Sequence, residues 1–438
     1  VSPIQHWRDG MMVFANGHPY FGVFKMRHLV GQVSSAARVF PALDGEVFIA
    51  DRSAGPYIWT ADGRRYVDTA LGFGATILGH AFPPVVEAVR RQWERNPSPA
   101  FAHEGEEAAA AALASVMAPL SKIVFVNSGS EAVHLSCRLA RNITGKTRIA
   151  KIGAGYDGWI GDIYFGNVGS KEAVFQDRRP RNESVTVLRY NDRADVDRLF
   201  AEHDDIAAVI VEPMLANAGS VVADIGYLRH LQAVARRNGA LFISDEVLMG
   251  MRLQPGLAAH KFGLDPDITT LGKAIASGFP IGAIAGRPDV MAAFEDGRVS
   301  SFGTYSGNPM ACAAVGETIK TLQQCDYEAL IAQGDRLRDR ITRIFAVQGV
   351  PISTSGFGTV FSLWFSDKPP LNYDEASVLA NPRLSKLLYL EARRAGALIM
   401  PSSFGRLYVS FAHDAEAMAQ LDTALQAVAI EIATDLAT

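Results

Sequence analysis

Six short apolar runs constrain this chain more than anything else in it. Residues 123–126, 149–152, 185–188, 207–211, 241–243 and 268–271 each form a strand-length block, and between them lie segments with apolar residues at helical spacing. Runs this short and continuous suit strands covered on both faces, and their alternation with helices predicts a mostly parallel α/β sheet. Open sheets of that kind bind ligands beyond the carboxyl ends of their strands. The residues that immediately follow each run are therefore where chemistry is to be sought.

The flanking segments read differently. Residues 46–50, 57–60 and 65–67 are short β-type runs, the last two separated by the turn pair Asp62 and Gly63, and they predict a small antiparallel sheet. Pro83 and Pro84 can open a helix in which Val85, Val86, Val89 and Trp93 recur on one face. Beyond the alternating region, a helical pattern over 317–345 is followed by a strand at 359–365, a helix at 384–395, a strand at 407–411 and a terminal helix carrying Met418, Leu421, Leu425 and Val428. The expected organisation is a large domain at 76–316 and a smaller α+β domain formed by residues 1–75 and 317–438. The first forty residues show little periodicity.

A chain of 438 residues can bury a large core, and a formal net charge of −4 gives no overall bias toward nucleic acid or membrane surfaces. Cys137, Cys312 and Cys325 are odd in number and lack paired metal-ligand spacing, so a reducing, cytoplasmic setting is expected. Residues 1–17 show no secretory pattern, and the alanine-rich stretch 108–120 is too short and too weakly apolar to span a bilayer.

Five strand ends carry chemistry. Asn127, Ser128, Gly129, Ser130 and Glu131 follow the first run and open a helix, where free N–H groups and the positive end of the helix dipole favour a phosphate; simple capping by Ser128 or Ser130 is the plainer use. Gly153 to Gly158 match GxGxxG after a strand, but Gly161, Gly166 and Gly169 discourage the helix that a dinucleotide site requires. Tyr156 in that stretch is a candidate aromatic plate. Asp245 and Glu212 end apolar runs, which is costly for a charge without a partner; a cationic ring nitrogen would serve, and a divalent metal is the weaker reading because no ligand cluster accompanies them. Lys273 follows the last run, where desolvation would lower its pKa and make it a nucleophile able to form a Schiff base. A phosphate cradle, an acidic partner for a ring nitrogen and an imine-forming lysine together are what pyridoxal phosphate asks of a protein.

On these residues the sequence resembles the class III pyridoxal-phosphate aminotransferases of fold type I, nearest the branch of glutamate-1-semialdehyde 2,1-aminomutase and β-amino-acid transaminases. The segments that carry the resemblance are Asn127 to Ala132, Gly155 and Tyr156 with Gly158, Val211 to Pro213, Asp245 to Val247, Leu271 to Lys273, and Gly303 to Pro309. The resemblance implies that Lys273 holds the cofactor and shuttles the proton, that Asp245 keeps the ring nitrogen protonated, and that Tyr156 and Val247 cover the two ring faces. It further implies that Gly129 and Ser130 bind the phosphate together with Thr304 of a second subunit, which makes a homodimer with a shared site the expected state. The expected activity moves an amino group between an amino acid or amine and an oxo acid. An intramolecular aminomutase is the alternative, and a catalytically silent binding protein a more distant one.

The departures from the family pattern bear on substrate. Leu248 stands where many relatives have glutamine, and Asn217 is expected to meet the cofactor's phenolic oxygen instead. Asn217 and Ser410 stand where ornithine-type enzymes place a paired glutamate and arginine, which counts against those substrates. Arg38 resembles the branch's carboxylate-binding arginine, Arg406 is a second candidate, and Phe73 falls where an aromatic lines the pocket. Asp157 replaces a histidine after the stacking tyrosine, and residues 165–182 correspond to the branch's lid; both are expected to shape selectivity.

Overall fold

The structure, a computed structural model, describes residues 6–8, 11–13, 28–175 and 179–438. At its centre is a seven-stranded sheet of β1 (Lys122–Val126), β2 (Arg148–Ile152), β3 (Val185–Leu188), β4 (Ile206–Val211), β5 (Leu241–Asp245), β6 (Ile268–Leu271) and β7 (Gly282–Gly286). Their spatial order is β1-β7-β6-β5-β4-β2-β3. Only β7 runs against its neighbours, so the parallel sheet expected from the alternation is present. Every residue of β4 is buried, because side chains that alternate across a strand here meet apolar layers on both sides. Val209, Val211 and Phe242 join one layer; Ala208, Ile210 and Ile243 join the other, which includes helix α1 (Gly129–Thr144).

β7 was not foreseen, since its sequence of small residues, Gly-Ala-Ile-Ala-Gly, reads as a turn. A tertiary contact explains the composition: a Cβ on Gly282 would lie 2.4 Å from the Ser128 carbonyl oxygen, so only glycine lets this strand pass beneath the start of α1. Two further expectations need correction, and one more strand gave no sign in the sequence. The run 46–50 forms no strand, and only an isolated bridge joins Leu43 to Glu46. The helical pattern from 317 belongs to two helices, Pro309–Leu322 and Tyr327–Val347, because the Asp326 carboxylate accepts from Ala329 N–H and starts a new one. Strand Ser353–Phe357 pairs with Val360–Trp364 although its serines and threonine gave no apolar signal.

The two ends of the chain share a sheet. Ala397–Leu398 lies parallel to Arg65–Asp68, which pairs in turn with Tyr57–Trp59 and Arg52–Ala54. Helix Tyr327–Val347 is held against the hairpin of Val360–Trp364 at Gly334, where a Cβ would stand 1.6 Å from the Gly358 carbonyl oxygen. Backbone so close cannot yield as a flexible side chain would. Gly334→Ala should therefore destabilise the protein by about 3 kcal/mol or more despite alanine's better helix propensity, read as a lowered denaturation midpoint; an unchanged midpoint would contradict this packing.

Candidate active site

Ser128 caps α1 by accepting from Glu131 N–H at 3.2 Å, and Glu131 reaches back to Asn127 N–H at 2.8 Å. The plainer capping role is thus real, and it belongs to Ser128. Ser130, half-buried in the first turn, has no hydrogen bond for its hydroxyl among the described residues, so the helix start keeps donors to offer an anion. Gly129 is required here because a Cβ would sit 2.6 Å from Val247 Cγ1. That contact sets Val247, two residues past the end of β5, against the cradle.

Asp245 closes β5 fully enclosed. Its Oδ1 accepts from Val247 N–H at 3.0 Å and from Thr270 Oγ1 at 2.9 Å, while buried Oδ2 has no hydrogen-bond partner among the described residues. Burial raises its pKa, with the Asp157 charge adding to the effect. Glu212 acts otherwise: Oε1 accepts from Tyr156 N–H at 2.9 Å and Oε2 from Ala216 N–H at 3.3 Å, so it ties the aromatic turn to the turn carrying Asn217. It too is raised by burial, then by Asp245. Among the described residues no group of three His, Cys, Asp or Glu is placed to hold a metal.

Lys273 begins a short 3-10 turn with φ of 46°, a left-handed conformation that costs a lysine energy and is typical of strained functional positions. It is half-buried, and among the described residues no hydrogen bond or ion pair engages its amine. Desolvation pulls its pKa down to about 8, opposed by Asp245 and Glu212 and assisted by Arg406 and Arg252. The direction matters, because an amine attacks a carbonyl only when neutral. Formation of the covalent bond between the protein freed of cofactor and added pyridoxal phosphate should accelerate as pH rises toward about 8 and level off above it; stopped-flow absorbance showing a rate flat between pH 6 and 9 would contradict this.

The remaining sites divide. The Tyr156 ring is partly open to solvent and Asn217 is half-buried nearby, both on turns fixed by Glu212. Phe73 lies in a turn, Leu71–Gly74, whose four residues all have positive φ and which packs against the Lys273 turn. Arg406 is buried, its Nη1 donating to Ala216 O at 3.0 Å and its Nε to Tyr408 Oη at 2.8 Å. Arg38 and Thr304 are exposed. Asp157 needs correction: it is a buried partner of Lys151, with 2.9 Å between Oδ2 and Nζ, and does not line an open pocket. Of the lid segment, residues 176–178 lie outside the described residues; Gly169 N–H donates to the Tyr373 hydroxyl and Arg179 pairs with Asp195. The GxGxxG stretch runs into turns, not a helix, as its glycines require.

Arg252 escaped sequence reasoning. It is fully buried, its guanidinium lies 5.1 Å from the Tyr408 ring centre, and none of its three side-chain nitrogens has a hydrogen-bond partner among the described residues. The available signal was an arginine directly after the apolar stretch from Leu248 to Met251. Lys273 thus has carboxylates among its charged neighbours on the Asp245 side and two guanidiniums flanking Tyr408. The orphaned Asp245 oxygen, the cradle at Gly129 and Ser130 and the unengaged lysine fit pyridoxal phosphate.

Comparison with known proteins agrees. The model of the class-III aminotransferase family matches residues 41–427. A glutamate-1-semialdehyde 2,1-aminomutase of Nitratidesulfovibrio vulgaris is 36% identical over 403 residues, covering 90% of this chain and 94% of that protein. Among solved structures, an omega-transaminase from Sphaerobacter thermophilus superposes with a TM-score of 0.83 at 27% identity, covering 93% of this chain and 95% of its own. A β-phenylalanine aminotransferase from Variovorax paradoxus gives 0.81 at 28% identity, covering 91% and 90%.

Proposed function

Since the chain belongs to the class-III aminotransferase family and is a pyridoxal-phosphate-dependent transaminase of fold type I, we propose that Lys273, Asp245 and Tyr156 are its catalytic residues and that its substrates include a carboxylated amino acid. The observation that carries this is the strained Lys273, whose amine has no hydrogen bond or ion pair among the described residues and feels the charges of Asp245, Arg406 and Arg252. Bound there, the cofactor supplies a carbonyl for attachment and a cationic ring that accepts the electrons released at the substrate's Cα. Lys273 Nζ anchors it and then, once released, moves the proton from that Cα. Asp245 Oδ2 holds the proton of the ring nitrogen. The Tyr156 ring and Val247 confine the two faces, Ser128 to Ser130 hold the phosphate, and Asn217 meets the phenolic oxygen. Arg406, with Arg38 and Phe73 at the entrance, orients the substrate carboxylate.

We further propose a cytoplasmic homodimer in which Thr304 completes the partner's phosphate site. Phe302, 94% exposed, and the exposed Tyr305, Phe101 and Trp159 supply apolar surface that a second copy would cover. Three free cysteines suit a reducing compartment. The intramolecular alternative draws on the 36% identical aminomutase. One experiment addresses both readings: donors with amino groups at the α, β or ω position, with and without a carboxylate, are mixed with the holoenzyme, and loss of the visible band and release of an oxo product are followed. Transamination predicts stoichiometric oxo product from a carboxylated donor. Failure of every donor except a diamino or amino-aldehyde acid isomerised without release would establish the aminomutase instead.

A further inference from the structure

Lys151 and Asp157 form a buried unit that the chemistry above does not use. Lys151, in β2, is 0% exposed, and its ammonium meets three oxygens: Asp157 Oδ2 at 2.9 Å, Asn167 Oδ1 at 2.5 Å and Ile163 O at 2.8 Å. Two of these contacts are hydrogen bonds, to Asn167 and Ile163, and the third is an ion pair with the buried Asp157 carboxylate, whose Oδ2 has no hydrogen-bond partner among the described residues. The same knot reaches the cofactor cradle, since Asn167 Nδ2 donates to Gly158 O at 2.7 Å, and Gly158 lies so close to Ser130 that a Cβ would fall 2.7 Å from its hydroxyl oxygen. Tyr156 is the residue before Asp157. One buried lysine therefore pins the turn that carries the aromatic plate and leans on the phosphate site.

Charge makes this more than bracing. Asp157, Glu212 and Asp245 are all buried, and the Asp157 charge is felt at both others. Three enclosed carboxylates cannot all stay ionised without compensation, because each raises the cost of charging its neighbours. Lys273 cannot fill that need alone, since it is committed to the cofactor. We propose that Lys151 is a positioning residue that acts through Asp157: it neutralises the Asp157 carboxylate, so that the charge of Asp245 is held for the cofactor's ring nitrogen.

The inference rests on the cofactor reading above, and the test separates the two. In the holoenzyme the visible band of the cofactor on Lys273 is titrated with pH for the wild type, Lys151→Met, Asp157→Asn and the double variant. The pair carries net charges of zero, minus one, plus one and zero in that order. Extra negative charge favours the protonated cofactor, so Lys151→Met should raise the titration midpoint by about one pH unit, Asp157→Asn should lower it by about as much, and the double variant should return to the wild-type value. Cofactor affinity, measured by equilibrium dialysis, should weaken about tenfold in Lys151→Met and recover in the double variant. A merely structural lysine would give a double variant no better than Lys151→Met, and that result overturns the proposal, as do midpoints that stay fixed or move in the same direction. Should Lys151→Met not fold, the downward shift in Asp157→Asn still decides. A wild-type protein that takes up no cofactor would instead refute the underlying cofactor reading.

Discussion

Lys273→Ala should abolish transamination, lowering turnover at least about 10⁴-fold, a loss of roughly 5 kcal/mol of transition-state stabilisation. In the proposed mechanism the same amine anchors the cofactor and moves the proton, and among the described residues no other lysine follows a strand of the sheet at this site. Lys151, the other buried lysine of the site region, is engaged by Asp157, Asn167 and Ile163. The fold should survive. Among the described residues Lys273 makes no hydrogen bond or ion pair, and its left-handed φ of 46° is imposed by the turn between β6 and β7, so truncation removes a half-buried amine without breaking such a contact. The variant should bind the cofactor only reversibly, through Ser130 and Asp245, and lack the visible band of the attached form. Activity within tenfold of wild type, or an undiminished band after gel filtration, would remove Lys273 from its assigned place.

Asp245→Asn should cost about 10³-fold in kcat/KM, roughly 4 kcal/mol, while leaving secondary structure and thermal midpoint little changed. The amide oxygen can keep both bonds now made by Oδ1, to Val247 N–H and Thr270 Oγ1, so the strand end stays in register. What changes is the other atom. Oδ2, buried and without a partner among the described residues, becomes a donor facing a ring nitrogen that must itself donate. Ring protonation is then lost and with it the capacity to accept electrons. Steady-state kinetics with the carboxylated donor found in the half-reaction screen would check this; a loss below tenfold would mean that the ring nitrogen finds its charge partner elsewhere.

Much of the candidate site was legible in the sequence because each piece follows an apolar run. A sheet buried on both faces forces strands to read as uninterrupted apolar blocks, and the residues after them must be what the strand ends present. Ser128 to Ser130, Tyr156, Glu212, Asp245 and Lys273 were all found that way. Residues whose role depends on contacts distant in sequence were not. Lys151 sits within a strand and looks like a solvated lysine until Ile163 and Asn167 fold over it. Asp157 was expected to shape selectivity, whereas the structure pairs it with Lys151. Arg252 gave only the faint signal of a charge after an apolar stretch, and its placement against Tyr408 joins segments more than 150 positions apart.

The amino-acid sequence by itself determined the α/β class, the family and the cofactor chemistry, since these follow from local periodicity and from short motifs at strand ends. Tertiary structure alone decided which charges meet. Buried ion pairs and orphaned polar atoms arise where distant segments pack, and desolvation makes their energies depend on distances of a few ångströms that no spacing along the chain encodes. Hence Gly282 had to be a strand residue under Ser128, Asp157 was bound to Lys151, and two arginines came to flank Tyr408 beside the lysine.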